Sequence, residues 1–484
     1  MTYEDETVEG CHLPGQANRF APGAPGEAPW RVAVLGPRLV IAGPASGVGK
    51  TTVATGILAA LARRGDRPAG AKVGPDFIDP GYHAVACGRP PRNLDAWLCG
   101  ADAVRPLAAR AAADAGMLVV EGVMGLFDGA ADGEVSSTAD VSRLLDAPVV
   151  LVVDASAMSG SVAALVHGYS TFDPELRVGG VILNRVGSDG HEALLREALD
   201  GLAVPVLGAL RRDDALTWRD RHLGLVPVAE QPGEVRGALD RLAAAVAAGV
   251  DLEAVVALAR SAPAHRTGPV LLPPPGPPVS VGVAGGPAFT FTYTDTIEAL
   301  EAAGARVVAF DPLADGRLPG GLDGLVIGGG FPEVHAAGLA DNRPLLDELA
   351  QAVAADLPTW AECGGLLLLA EELDGQRMAG AIPARARMTD RLTLGYRTVT
   401  TAAETPLGPA GTVLRGHEFH YSTVEPGGEA LDLASRWGAR REGWGGPDLL
   451  ATYVHHHPGG DPTCVAAFAA RCALRRALRG PGRE

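Results

Sequence analysis

The chain has 484 residues, enough for two or three domains that each bury a core of their own. Hydrophobic residues make up 47% and charged residues 20%, an ordinary globular balance, and the formal net charge of −16 excludes nucleic acid, whose binders need basic stripes. No apolar run of about twenty residues lacks a charge or proline, which argues against a membrane span, and the acidic start "MTYEDETVEGCH" is no signal peptide.

In chain order, residues 1–36, with "PGQANRFAPGAPGEAPW", read as a disordered leader. A short β-branched run, "RLVIAGP", opens the first domain, taken as 37–260. Within it the apolar runs "MLVVEG", "PVVLVVDA" and "GGVILNRV" alternate with Ala- and Leu-rich stretches of helical spacing. Strand–helix alternation with buried strands predicts a parallel α/β sheet. "SAPAHRTGPVLLPPPGPPVS" breaks the alternation, because its prolines suit neither a helix nor an interior strand. Residues 261–278 are therefore the expected linker, and a second α/β domain is expected over 279–476, starting from "VSVGVAG".

"GPASGVGKTT" lies between the first strand and the first helix. Gly43, Gly47 and Gly49 let backbone amides turn toward phosphate, and the following helix N-terminus favours the anion. Lys50 is placed to reach the terminal phosphates of ATP, Thr51 to ligate Mg²⁺, and Thr52 completes the motif. Five residues separate Gly43 from Gly49, one more than the common phosphate loop. Four acids stand at expected strand ends: Asp76 and Asp79 in "KVGPDFIDPGYH", Glu121 and Asp128 in "VVEGVMGLFDG". Any one of them alone reads as a cap or a solvated turn. Together beside a nucleotide tail they call for Mg²⁺ between them: Thr51, Asp76 and Glu121 are the metal candidates, and Asp76, Asp79 and Asp128 the candidates for handling a substrate carboxylate. Lys72 is a candidate for steadying a transferring phosphoryl group, and Asn184 for reading the adenine edge.

The six cysteines are scattered without a C-x-x-C pair, as expected of reduced thiols in a cytoplasmic chain. Cys363 in "LPTWAECGGLLLLA" stands at a strand-to-helix turn, the geometry of a nucleophile elbow. A lone cysteine in an apolar run is most often an inert core residue. The Gly364–Gly365 pair argues otherwise, since it keeps the turn open to a substrate and offers the Gly364 amide to an oxyanion. "VIGGGFPE" supplies Gly329 as the second oxyanion donor. Candidate bases are His417 and His420 in "GHEFHYS" and the triplet in "TYVHHHPGG". With a strand before the triplet, His455 would share a rim with Cys363 and His456 would face the opposite side. Contiguous histidines diverge, so a zinc site is geometrically poor there. A helical stretch after the triplet rules out a purification tag.

Taken with "RNLDAW", "RHLGLVP" and "MTDRLTLGYR", these motifs resemble, in order from about residue 38 to 475, the cobyrinic acid a,c-diamide synthases. That resemblance implies a dethiobiotin synthetase-like P-loop domain followed by a flavodoxin-like class I glutamine amidotransferase domain. It implies ATP- and glutamine-dependent amidation of the a and c acetates of a corrin-type tetrapyrrole, working with Mg²⁺ as a single chain or a homodimer. By the same resemblance Cys363 forms the glutamyl thioester and His455 is its base. Many class I amidotransferases keep a glutamate two residues after that histidine; here His457 occupies the position, as in the cobalamin branch, and what orients His455 stays open. "VAGGPAFTFTYTD" departs from the family's usual "AxDxAFxFYY". Neighbouring readings are the same chemistry on hydrogenobyrinic acid, which lacks cobalt, or on a nickel sirohydrochlorin, and a cobyric acid synthase. A P-loop partitioning or regulatory ATPase is the reading from a different class.

Overall fold

A computed structural model describes residues 33–130, 134–213, 220–221, 224–230, 232–436 and 438–479. "RLVIA" forms the strand Arg38–Ala42, buried at every position. It lies at the centre of a seven-stranded sheet in the order Asn93–Leu94, Pro68–Val73, Met117–Glu121, Arg38–Ala42, Val149–Asp154, Val178–Val186, Val206–Arg211. Every pairing is parallel. Burial on both faces explains why these runs are continuously apolar: Leu39 and Ile41 pack on the side of helices Lys50–Arg63 and Pro232–Gly249, while Val40 and Ala42 pack on the side of Ala101–Ala111 and Thr138–Leu145. The three loops leaving Arg38–Ala42, Pro68–Val73 and Met117–Glu121 emerge at the carboxyl edge of this sheet, side by side.

Most of the expected leader, residues 1–32, lies outside the described residues. Ala33–Leu35, at its end, pairs antiparallel with His265–Thr267 from the middle of the expected linker. Arg38 supplies the reason. Its buried guanidinium donates to the carbonyls of Leu145, Gly36 and Pro263, which ties both segments to the first domain.

The second domain has a parallel sheet in the order Ala305–Phe310, Val279–Ala284, Gly324–Ile327, Thr359–Glu362, Leu449–Thr452, with Trp444–Gly446 added antiparallel at the edge. Beside it stands an antiparallel sheet built on the long pair Arg385–Thr401 and Val413–Glu425. The strand before the histidine triplet ends at Thr452. His455 and His456 then cross to the antiparallel sheet and pair with His417 and Gly416. The triplet thus marks the junction of two sheets.

The two domains meet through specific contacts. Arg92 is paired with Asp295 and Glu298, and the Tyr396 hydroxyl donates to Asp95 at 2.8 Å while its ring stacks on Trp97. Among the described residues no helix is long and apolar enough to cross a membrane, and the five described cysteines are unbridged.

Candidate active site

Cys363 sits between Thr359–Glu362 and the helical turn Gly364–Leu369 with φ +49° and ψ −98°, a strained conformation of the kind found at nucleophile elbows. Its amide donates to the carbonyl of Thr452 at 2.7 Å, which pins the turn to the neighbouring strand. No side chain fits at Gly365, where a Cβ would lie 2.2 Å from the carbonyl of Ile327. Gly329, the expected second oxyanion donor, gives its amide to the Phe291 carbonyl at 3.1 Å, and the amide nitrogen of Gly330 lies 3.0 Å from where a Gly364 Cβ would stand.

The three histidines of the triplet have three environments. His455 packs against Gly329, where a Cβ would strike its ring, and interacts with both Cys363 and Glu362. Burial disfavours charge on this ring, yet the neighbouring Cys363 and Glu362 side chains outweigh it and raise His455 to about 10. Glu362 is therefore the group beside His455 that the missing downstream glutamate left in question. Its Oε2 lies 3.6 Å from His455 Nδ1, while its Oε1 accepts from Trp360 Nε1 at 2.9 Å and from the His456 amide at 3.0 Å. His456 faces away, bonded to Cys464 and the Arg415 carbonyl, and burial lowers its pKa. His457 meets the first domain: its Nδ1 is 3.2 Å from Cys99 Sγ, and burial lowers it to about 4. Of the other candidate bases, His420 stacks on Tyr453 at 3.7 Å. His417 faces the interdomain cavity and is lowered to about 3, chiefly by burial.

On the phosphate side, Gly47 and Gly49 hold φ of +80° and +96°, and a Cβ at Gly43 would come within 2.5 Å of Val48. Lys50 Nζ donates to the Ala45 carbonyl of its own loop at 2.8 Å; burial and the nearby Lys72 charge lower it to about 8. Thr52 is half-buried one residue beyond Thr51. The Thr51 hydroxyl donates to Glu121 at 2.6 Å and lies 3.3 Å from Asp79. Lys72 bridges the same two carboxylates, at 2.7 Å from Asp79 and 2.8 Å from Glu121. Burial works against the Lys72 charge, but those neighbours keep it firmly protonated. Burial also opposes the Glu121 carboxylate, whose pKa Lys72 and His83 nevertheless hold far below the usual range.

The structure thus gathers Thr51, Lys72, Asp79 and Glu121. Asp76 stands beside this cluster, its charge felt by Lys72 and Asp79; its Oδ1 accepts from the amides of Ile78 and Asp79, and the residue borders the interdomain cavity. Asp128 accepts from the Gly125 amide at 2.8 Å. Asn184 Nδ2 donates to the Val48 carbonyl at 2.9 Å, bracing the phosphate loop. A hydroxyl with two carboxylates is an all-oxygen donor set of the kind Mg²⁺ takes beside nucleotide phosphates, so these residues fit the ion.

Sequence reasoning passed over His83, whose Nε2 is 2.7 Å from Glu121, and Glu362. It also passed over Phe77, which stacks on Phe291 and Tyr293 at 5.1 and 4.2 Å and lies 4.9 Å from the His455 ring. Glu362 had a signal, since it immediately precedes the nucleophile on a strand. Phe77 had none short of the domain packing. A cavity of about 810 Å³ opens between the domains, with Asp76, Phe77 and Ser136 on one wall and Tyr396, Arg397 and His455 on the other.

Comparison with known proteins fits this two-sided site. Residues 39–226 match the CobQ/CobB/MinD/ParA nucleotide binding domain and residues 280–463 the CobB/CobQ-like glutamine amidotransferase domain. A hydrogenobyrinate a,c-diamide synthase of Streptomyces coelicolor is 51% identical over 476 residues, spanning 90% of this chain and 97% of its own. The chain belongs to the a,c-diamide synthase family. Other a,c-diamide synthases align over the same extent. The hydrogenobyrinate enzyme of Thermobifida fusca is 48% identical over 91% of this chain and 98% of its own, and the cobyrinate enzyme of Syntrophotalea carbinolica 46% over 90% and 98%. The nucleotide-binding match spans the sheet that carries Lys50, and the amidotransferase match spans both Cys363 and His455.

Proposed function

We propose that this a,c-diamide synthase amidates two acetate side chains of hydrogenobyrinate, with ATP as the activating and glutamine as the nitrogen-donating substrate. The supporting observation is one cavity bordered by His455 on one side and by the loop carrying Asp76 and Asp79 on the other, in a chain 51% and 48% identical to hydrogenobyrinate enzymes over 90% and 91% of its length.

Amide formation from a free carboxylate and ammonia is unfavourable in water, so the carboxylate must first be activated. A substrate carboxylate oxygen attacks the γ-phosphorus of ATP, giving an acyl phosphate and ADP. Lys50 and Lys72 carry the positive charge that this transfer needs. Thr51, Glu121 and Asp79 would hold Mg²⁺, which would supply neutralisation of the phosphate charge. Asp76 borders the cavity and Asp128 lies in the neighbouring loop, and the two position the macrocycle's acetate arm.

In the second half, the Cys363 thiolate, paired with the His455 imidazolium, attacks the glutamine side-chain carbonyl. The amides of Gly330 and Gly364 receive the oxyanion. His455 protonates the leaving nitrogen, ammonia departs, and a water deprotonated by His455 releases glutamate from the thioester. Ammonia then attacks the acyl phosphate, and phosphate leaves as the amide forms.

The test is turnover of hydrogenobyrinate and cobyrinate, each with ATP, Mg²⁺ and glutamine, on wild-type protein and Cys363→Ala. Wild type should form the diamide with hydrogenobyrinate preferred, and the variant should do so only with added ammonia. Folded wild-type protein that amidates neither macrocycle refutes the proposal.

A further inference from the structure

The motif "MTDRLTLGYR" has no part in the chemistry above, yet it builds a cavity of its own. The long pair Arg385–Thr401 and Val413–Glu425 loses register between Met388 and Thr393: Met388 pairs with Ser422 and Thr393 with His420. Residues 389–392 therefore oppose the single residue Tyr421, a bulge that re-aims side chains out of the ladder. The Thr389 hydroxyl anchors it on the Tyr421 carbonyl at 3.0 Å. The bulge and the strand Leu431–Ser435 enclose about 390 Å³ next to the interdomain cavity, and the two share Leu394, Arg397 and Ser435.

The chemistry of this annex is one-sided. Arg391, Arg397 and Arg440 line it, and among the described residues no carboxylate does. Glu418, wholly buried beneath, is bonded to Arg397 and Arg440 and neutralises one charge. Among the described residues the Arg391 guanidinium has no ion pair. Three arginines above one acid, in a chain of net charge −16, form a local field opposite to that of the molecule. Leu392 and Leu394 on the rim are 38% and 53% exposed, an apolar edge that a ring system would cover.

We infer that the annex is a subsite for the peripheral carboxylates of the macrocycle that are not amidated. This rests on the proposed function. A polycarboxylate ring presenting one acetate at a time to the phosphate side must hold its remaining negative charges elsewhere, and arginines beside an apolar rim offer paired hydrogen bonds with little dehydration cost. The bulge at 389–392 then acts as a specificity element: it orients the ring from the side opposite the chemistry.

Arg391 is the residue to change, because the fold does not lean on it. Arg391→Ala, Arg391→Glu and Arg391→Lys are made in the full chain, and the KM and kcat for hydrogenobyrinate are measured with ammonia as nitrogen source. Loss of one charge-assisted contact raises KM for the macrocycle roughly tenfold in the alanine variant, more in the glutamate variant and less in the lysine variant. The KM for ATP stays in place and the salt dependence of macrocycle binding weakens. Equal macrocycle KM in all four proteins overturns the inference. Should wild type bind hydrogenobyrinate without turning it over, binding titrations decide separately. Abolished binding in Arg391→Glu upholds the annex while the functional reading falls, and unchanged binding in that variant overturns the annex itself.

Discussion

Replacing Glu362 by glutamine tests how His455 is held. The substitution keeps Oε1 as acceptor for Trp360 Nε1 and the His456 amide, so the local packing survives. It removes the negative charge 3.6 Å from His455 Nδ1 and sets an amide donor against the ring N–H. At that separation and an effective dielectric constant of about 20, the lost attraction for the imidazolium is about 4–5 kcal/mol. If roughly half is felt in the transition state for thioester formation, kcat with glutamine falls about 30- to 100-fold. Ammonia-driven amidation needs no glutaminase and stays near the wild-type rate. The pH profile supplies a second readout. Losing a carboxylate neighbour lowers the His455 pKa from about 10, so the alkaline limb of glutaminase activity moves to lower pH. Glutamate release and ammonia-dependent diamide formation are followed in the same preparation. A glutamine-dependent kcat within about twofold of wild type, with an unmoved alkaline limb, would mean that Glu362 only caps two donors and the orientation argument fails.

Three other substitutions probe the remaining contacts. Phe77→Ala removes the ring between the phosphate-side loop and His455, so glutamate formed per amide should rise severalfold while ammonia-driven synthesis persists; an unchanged ratio refutes the coupling. Lys72→Met strips the buried cation from Asp79 and Glu121, which should cost about 3–5 kcal/mol of stability and abolish amidation with either nitrogen source, read by thermal unfolding and turnover. Burial raises Glu442 from 4.5 to about 7, so as pH climbs through that window the unfolded chain releases a proton that the folded chain retains, and stability falls. Glu442→Gln removes this loss, about 3 kcal/mol at most, and its urea midpoint should drop less than that of wild type between pH 5 and 7.5; equal drops would refute the assignment.

What the sequence displayed were features that a few neighbouring residues determine. "SGVGKTT" and "AECGG" announce their turns because glycine spacing and a strand before them suffice. The arrangement of Lys72, Asp79, Glu121 and His83 was hidden, although its strands were legible. It depends on Pro68–Val73 lying next to Met117–Glu121 with Lys72 opposite Glu121, a register that no local pattern encodes. The choice between Gly329 and Gly330 turns on which amide Phe291 has already taken, again a through-space matter. The stretch "GGPAFTFTYTD", unusual by family standards, supplies Phe291 and Tyr293 beneath Phe77. At those two positions the stretch keeps the family pattern, and Phe291 also stands 6.4 Å from the His455 ring; the departures fall beside them, at Gly286 and Thr292.

The loop 75–79 gives that interface its meaning. Within it Asp76 borders the cavity, Phe77 lies against His455, and Asp79 joins Thr51 and Lys72 on the phosphate side. Ammonia released into water at neutral pH is protonated and no longer nucleophilic, so it is useful only if it meets an acyl phosphate before it meets solvent. A short, stiff loop touching both centres suits that requirement better than a flexible linker would. In the proposed cycle a shift of Asp79 on nucleotide binding would press on Phe77, whose ring packs against Phe291, Tyr293 and His455, and the Phe77→Ala variant tests whether the glutaminase responds. On that reading the coupling between the two chemistries runs through this loop and not through the covalent connection between the domains.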